Sequence, residues 1–197
     1  MIKYVVFDVG NVVVKADESI TARILQEYGV SSDRAGQLFA NEDYRKFSRG
    51  NIGEQQFYDA LIRHLQTQLT FEQVIHAHDE HLYGIDNEVV ELIKQIPAQN
   101  LAFLTDTNLW QTRREKTLID LEGYSNKVFR SYKIHMLKTD PECFPYVRNL
   151  LGVNPQELVL VDDSIEKVVL AQKDGWQTIQ FQDAEQLRRD LSKVFQY

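Results

Sequence analysis

At 197 residues the chain holds one core domain and a modest insertion, not two large domains. Its residues are 43% hydrophobic and 26% charged, a globular balance, and its single cysteine, Cys143, excludes an internal disulfide and reads as a small buried apolar group. With 29 acidic against 22 basic residues the net charge is −7, which argues against nucleic acid or an anionic membrane as main partner, since both call for a basic surface.

The first predicted element is a strand, Tyr4–Phe7, which meets Asp8 at once. This opening does not read as a signal peptide and no apolar run approaches a membrane span, so a cytoplasmic location is expected. From about Lys15 to Tyr83 no convincing strand is predicted, only helical patterns at Ile20–Tyr28, Asp33–Phe39, Glu54–Leu65 and Phe71–Leu82. Phe57, Leu61 and Leu65 form one apolar stripe, and Gly50-Asn51-Ile52-Gly53 is a turn ahead of it. Tyr44, Arg45 and Arg49 lie near that turn, where a cap meets substrate. His76, His78 and His81 cluster near the end of the block; only His78 and His81 share a helix face, and with no third ligand evident they read as a solvated face.

Beyond Tyr83 strands and helices alternate. Asp86 caps a helix whose apolar face is Val89, Val90, Ile93 and Ile96. Strands follow at Leu101–Leu104, Val128–Ser131, Leu158–Val161 and Thr178–Phe181, with helices at Leu109–Leu121, Pro141–Leu151, Ile165–Asp174 and Ala184–Phe195. This order predicts an α/β fold: a doubly wound, Rossmann-like parallel sheet core (1–14 and 84–197) with a small all-helical cap (15–83) inserted after the first strand.

In such a sheet ligands sit at the carboxyl ends of the strands. The residues there are Asp8-Val9-Gly10-Asn11, then Thr105-Asp106-Thr107-Asn108, then Asp162-Asp163-Ser164, with Lys138 just ahead of Asp140-Pro141-Glu142. Asp8 and Asp163 project into one crevice, and carboxylates that close repel unless a cation lies between them; magnesium is the natural occupant. Thr105 offers a hydroxyl, Lys138 a positive charge, and a free carboxylate can attack phosphorus. Taken singly, each aspartate also reads as a helix cap or turn former, and Lys138 as a surface lysine.

Together these four segments resemble the haloacid dehalogenase-like hydrolase superfamily over essentially the whole chain. The resemblance implies Asp8 as nucleophile, and magnesium held by Asp8, the Gly10 carbonyl and Asp163. It implies phosphate bound by Thr105, the backbone N–H of Asp106 and Lys138, with Asp162 behind them. The opening and the Asp162-Asp163 pair are most similar to a branch with sugar-phosphate phosphatases, including one for α-D-glucose 1-phosphate. The expectation is a magnesium-dependent phosphatase acting on a small phosphorylated metabolite, as a monomer or weak homodimer. The alternatives are a catalytically weakened binding or regulatory protein and, behind it, a 2-haloacid dehalogenase, which has little need of Asp163. Three departures stand out. Gly10 occupies the place of the usual acid/base aspartate; Asp106 replaces a more usual Asn and repels phosphate unless its side chain points elsewhere; Lys167 stands where many relatives carry an acid, a role that falls to Asp162.

Overall fold

The computed structural model describes residues 1–195. A five-stranded, wholly parallel sheet runs in the order β5-β4-β1-β6-β7, formed by β1 (Tyr4–Phe7), β4 (Leu101–Thr105), β5 (Val128–Arg130), β6 (Leu158–Asp162) and β7 (Gln177–Gln180). The side chains of β1, β4 and β6 alternate between two apolar clusters, as period-two geometry requires. Val5, Phe7, Phe103, Val159 and Val161 pack with α6 (Asn87–Ile93) and α11 (Ala184–Val194). Val6, Ala102, Leu104, Leu158 and Leu160 pack with α9 (Cys143–Leu151) and α10 (Ile165–Lys173). Burial on both faces explains why these strands read as continuous apolar runs. Two further helices, α7 (Leu109–Leu118) and the short α8 (Ser131–Ile134), flank β5 in the chain. Cys143 is buried as expected, and burial pushes its thiol up to about 12.

The expectation of no strand between Lys15 and Tyr83 is corrected. β2 (Val14–Ala16) and β3 (Leu82–Ile85) pair antiparallel, with Val14 opposite Ile85, and form a ribbon where the chain leaves and re-enters the sheet region. Strands of three and four residues are too short to show an alternating pattern. Between them lie α1 (Glu18–Glu27), α2 (Ser32–Ala35), α3 (Glu42–Ser48), α4 (Glu54–Leu65) and α5 (Phe71–Asp79). The helix expected over Asp33–Phe39 stops where Gly36 lowers helix propensity, and α3, not anticipated, starts where the Asn41 side chain accepts from Tyr44 N–H at 2.7 Å. Phe57, Leu61 and Leu65 are buried as one stripe on α4.

This block carries its own core, which α7 enters with Trp110 and the partly buried Leu109. Trp110 of α7 is buried against Phe47, Phe57, Phe71 and His78, with ring centroids 5.1 to 5.6 Å away, and its indole N–H donates to Glu54 at 3.1 Å. A second tie joins α3 to the loop before α9: Arg49 forks onto Asp140 at 2.6 and 2.9 Å. Gly50 lies beside it at φ +67°, where a Cβ would stand 2.3 Å from the Tyr132 carbonyl oxygen, so only glycine allows this approach. Among the described residues no helix is long and apolar enough to cross a membrane.

Candidate active site

Because β1 lies between β4 and β6, the residues that follow these three strands converge. Asp8 comes directly after β1, Thr105 ends β4 with Asp106 next, and Asp162 ends β6 with Asp163 next. Asp8 is 4% exposed, and its Oδ1 accepts from the Val9 N–H at 2.7 Å. Its Oδ2 faces two ammonium groups, Lys138 at 2.7 Å and Lys167 at 3.8 Å. Lys138 is fully buried and also donates to Asp162 Oδ2 at 2.5 Å, while Asp162 Oδ1 accepts from the Ser164 N–H at 2.9 Å.

The charges fix the protonation states. Burial alone would raise the Asp8 carboxyl, but the Lys138 charge, then Lys167, then hydrogen bonds from Lys138 and Val9 outweigh it and hold the group below its ordinary value. Asp8 is therefore an ionised carboxylate at neutral pH. Asp162 is pushed up to about 6, first by burial and then by the Asp8 charge. Burial would lower Lys138, yet Asp8, Asp162 and Asp106 keep it above the usual lysine value, so it is a permanent buried cation.

Oxygen atoms of Asp8, Asp162 and Asp163 all lie within 4.8 Å of one another, against about 4.2 Å across an octahedral magnesium with bonds of ~2.1 Å. Both Asp162 oxygens already have protein donors, whereas the half-buried Asp163 carboxylate bonds to no other described residue. Asp8, Asp106, Asp162 and Asp163 outnumber Lys138 and Lys167 by two negative charges, so this donor set suits a hard divalent cation.

A cavity of about 480 Å³ opens over Asp8. Its sheet side carries Gly10, Asp106, Asp163 and Lys167; its helical side carries Asp17, Glu18, Ser19, His81 and, from α7, Gln111. Thr105 is buried and lines a smaller adjoining cleft with Gly10 and Asp106. Asp106 does not turn away from the site: its Oδ1 accepts from the Lys138 backbone N–H at 2.8 Å and its Oδ2 lies 3.7 Å from Lys167. Tyr44, Arg45 and Arg49 are not among the residues lining this cavity.

The reading of His78 and His81 as a solvated face is overturned, since they are 0% and 2% exposed. At the end of α5, His78 sits among Phe39, Tyr44 and Trp110, and His81 packs on Phe39 and His78. The His81 Nδ1–H donates to the His78 carbonyl, which can only accept, so Nε2 is left to accept from the Gln111 amide at 3.2 Å. Gln111 Oε1 in turn accepts from Asn108 at 3.1 Å. A polar chain thus runs from the β4 loop across the cavity wall into the helical block.

The haloacid dehalogenase-like hydrolase family model matches residues 2–173. The chain belongs to this family of hydrolases. The hydrolase is 23% identical to a D-ribitol-5-phosphate phosphatase of Bacteroides thetaiotaomicron, over 98% of either protein. It is 22% identical to the drimenol cyclase drtB of Aspergillus calidoustus over 99% of its own length, but spans only 37% of that protein. Among solved structures, a haloacid dehalogenase-like enzyme of Bacteroides thetaiotaomicron in complex with magnesium and inorganic phosphate superposes over all of both chains, with a TM-score of 0.86 at 22% identity. An L-2-haloacid dehalogenase of Xanthobacter autotrophicus aligns with 98% of this chain and 83% of its own, with a TM-score of 0.66 at 18% identity. At these identities the structural likenesses speak for the fold. Relative to the sequence expectation, the hydrolase adds Gln111, His81 and the Asp17–Ser19 turn to the cavity wall. Asp17 N–H donates to the His81 carbonyl at 2.9 Å, so the two ends of the helical block meet there; ahead of the structure, the only pointer was that both flank the insertion.

Proposed function

We propose that the chain is a magnesium-dependent phosphatase that hydrolyses a small phosphomonoester, with a sugar phosphate favoured, through an aspartyl-phosphate on Asp8. The observation that carries this reading is the buried, ionised Asp8 with Lys138 at 2.7 Å, at the floor of a polar cavity of about 480 Å³. Asp8 Oδ attacks phosphorus and the P–O bond to the leaving alkoxide breaks, the alkoxide taking its proton from solvent water. A second water then attacks phosphorus, giving up a proton to solvent, and the Asp8 O–P bond breaks to release inorganic phosphate and regenerate the carboxylate. Lys138 neutralises the phosphoryl oxygens, and Asp162 holds it there through both hydrogen bonding and charge. Thr105 and the Asp106 N–H complete the phosphate cradle. Asp8, the Gly10 carbonyl and Asp163 hold magnesium, which supplies electrostatic neutralisation of the transferred group. The polar wall of Asp17, Ser19, His81 and Gln111 suits a hydroxyl-rich leaving group, and the match to a sugar-alcohol phosphatase supports the same class. The domain roles follow: 1–14 and 84–197 carry the chemistry, and 15–83 is the cap.

The test is hydrolysis of p-nitrophenyl phosphate and a panel of sugar and sugar-alcohol phosphates, with magnesium and with a chelator. Turnover that requires the metal and is fastest on a polyol or sugar phosphate supports the proposal. Phosphate binding without turnover of any ester would turn it into the binding-protein reading that Gly10 raises.

A further inference from the structure

Asp106 poses an electrostatic problem that the fold answers with Lys167. A carboxylate in the phosphate cradle repels the group the site exists to bind, and Asp106 lines the cavity with Asp8. Its Oδ1 is taken by the Lys138 N–H, and its Oδ2 lies 3.7 Å from Lys167 Nζ. That same ammonium is 3.8 Å from Asp8 Oδ2, the oxygen that Lys138 also contacts. Reacting atoms in a productive complex are about 3–3.5 Å apart, and Lys167 stands at a similar distance, 3.8 Å, from the same Asp8 oxygen on the wall of the same cavity. The two lysines reach that oxygen from different elements, Lys138 from the loop ahead of α9 and Lys167 from α10. Lys138 is fully buried and committed to two carboxylates. Lys167 is 22% exposed and holds Asp8 and Asp106 at ion-pair distance without a hydrogen bond to either. It is the ammonium with freedom to turn toward an arriving anion.

We propose that Lys167 is a second cationic ligand of the transferring phosphoryl group, and that Asp106 is the positioning residue that holds it over the nucleophile. This deepens the phosphatase reading and rests on it. The bland competitor is that Lys167 does no more than neutralise Asp106.

The experiment measures inorganic phosphate and vanadate affinity by titration calorimetry, with and without magnesium, for wild type, Lys167→Met, Lys167→Arg, Asp106→Asn and the Asp106→Asn/Lys167→Met double variant. Lys167 is partly solvated, so its variants are expected to fold, which thermal melts check. The proposal expects Lys167→Met to weaken phosphate about 10- to 100-fold, as for loss of a charged hydrogen bond, with kcat falling alongside and Lys167→Arg recovering most of the affinity. The double variant should stay weak, because the lost contact was to phosphate. Recovery of wild-type affinity in the double variant overturns the proposal, since Lys167 would then only have masked Asp106. Wild-type affinity in Lys167→Met overturns it too while leaving the phosphatase reading intact. Failure of the wild-type protein to bind phosphate at all would remove that reading, and this inference with it.

Discussion

The sheet and the helical block are held together by different means. The central strands β1, β4 and β6 divide their side chains between two apolar clusters, and the charged groups of the sheet gather at one edge, where Asp8, Lys138 and Asp162 are buried together. The block between β2 and β3 sets a run of rings among its aliphatic core residues: Phe47 stacks on Phe57 at 4.8 Å, Tyr44 packs edge to face on Phe57 and on Phe39, and His78 packs edge to face on His81. A parallel sheet obliges strand ends to converge, so a charged site can be built there from residues far apart in sequence. A helical insertion has no such convergence, so on the proposed function any selection it exerts comes from the surface it turns toward the sheet. Chemistry belonging to the sheet edge and selection belonging to the block is the division that the following tests address.

Asp8→Asn tests the division hardest. It removes the attacking oxygen charge but leaves the packing, so turnover of every phosphate ester should fall on the order of 10⁴-fold or more, with the helical block unaltered. Residual activity near wild type, read by a discontinuous phosphate assay on purified protein, would move the nucleophile elsewhere.

Trp110→Ala attacks the join between the regions. Truncating a buried tryptophan costs about 3–5 kcal/mol, which for a chain of this size lowers Tm by roughly 10 °C. At low temperature, where the variant remains folded, kcat on p-nitrophenyl phosphate should change little while KM for the natural ester rises. Equal loss on both substrates would show that the block shapes the chemistry as well.

Acid should loosen the block before the sheet. Burial, then the neighbouring His78, lower His81 to about 4, and burial lowers His78 as well. A folded-state value below the unfolded one means that the unfolded chain binds more protons, so stability is present above about pH 6.5 and declines as pH falls toward 4. Asp79 and Arg114 also act on His81, the first opposing the shift and the second reinforcing it. His81→Gln keeps an acceptor for Gln111 and removes one titration, so the acid side of the Tm profile should flatten. An unchanged profile would assign the acid sensitivity to carboxylates held below their ordinary value, Asp8 among them, since Asp162, which is raised, works in the opposite direction.

The same division governs what could be read in the sequence. The five parallel strands and the converging Asp8, Thr105, Lys138 and Asp163 were legible because apolar runs mark buried strands and topology fixes where their ends go. The exposure of His78 and His81 was misjudged because helical spacing tells which residues share a face, not whether another element covers it; Trp110 and Phe39 do. The β2–β3 ribbon is stabilised by its register partner across the whole insertion, which no local pattern reveals. Lys167, on α10, drew notice only as a departure, because the proposal made for it rests on two distances to residues that follow β1 and β4.

Gly10 gives the smallest expected effect and bears most directly on mechanism. Nothing lies within 4 Å of a Cβ built at this residue, and its φ is not in the left-handed region, so an aspartate fits the backbone there. Its absence is therefore not a steric matter. A positioned acid typically contributes about 100-fold or more; one introduced without supporting contacts should contribute less, roughly tenfold. The gain should appear on sugar phosphates, whose alkoxide leaves poorly without a proton, and be nearly absent on p-nitrophenyl phosphate, whose phenolate leaves unaided, provided breakdown of the aspartyl-phosphate does not limit both. Parallel kcat/KM measurements on the two substrates, with magnesium affinity checked for each form, decide it. A folded Gly10→Asp that loses activity on both means that the native site already has its own acid, which the new carboxylate displaces, and the helical wall around His81 and Gln111 is then where to look for it.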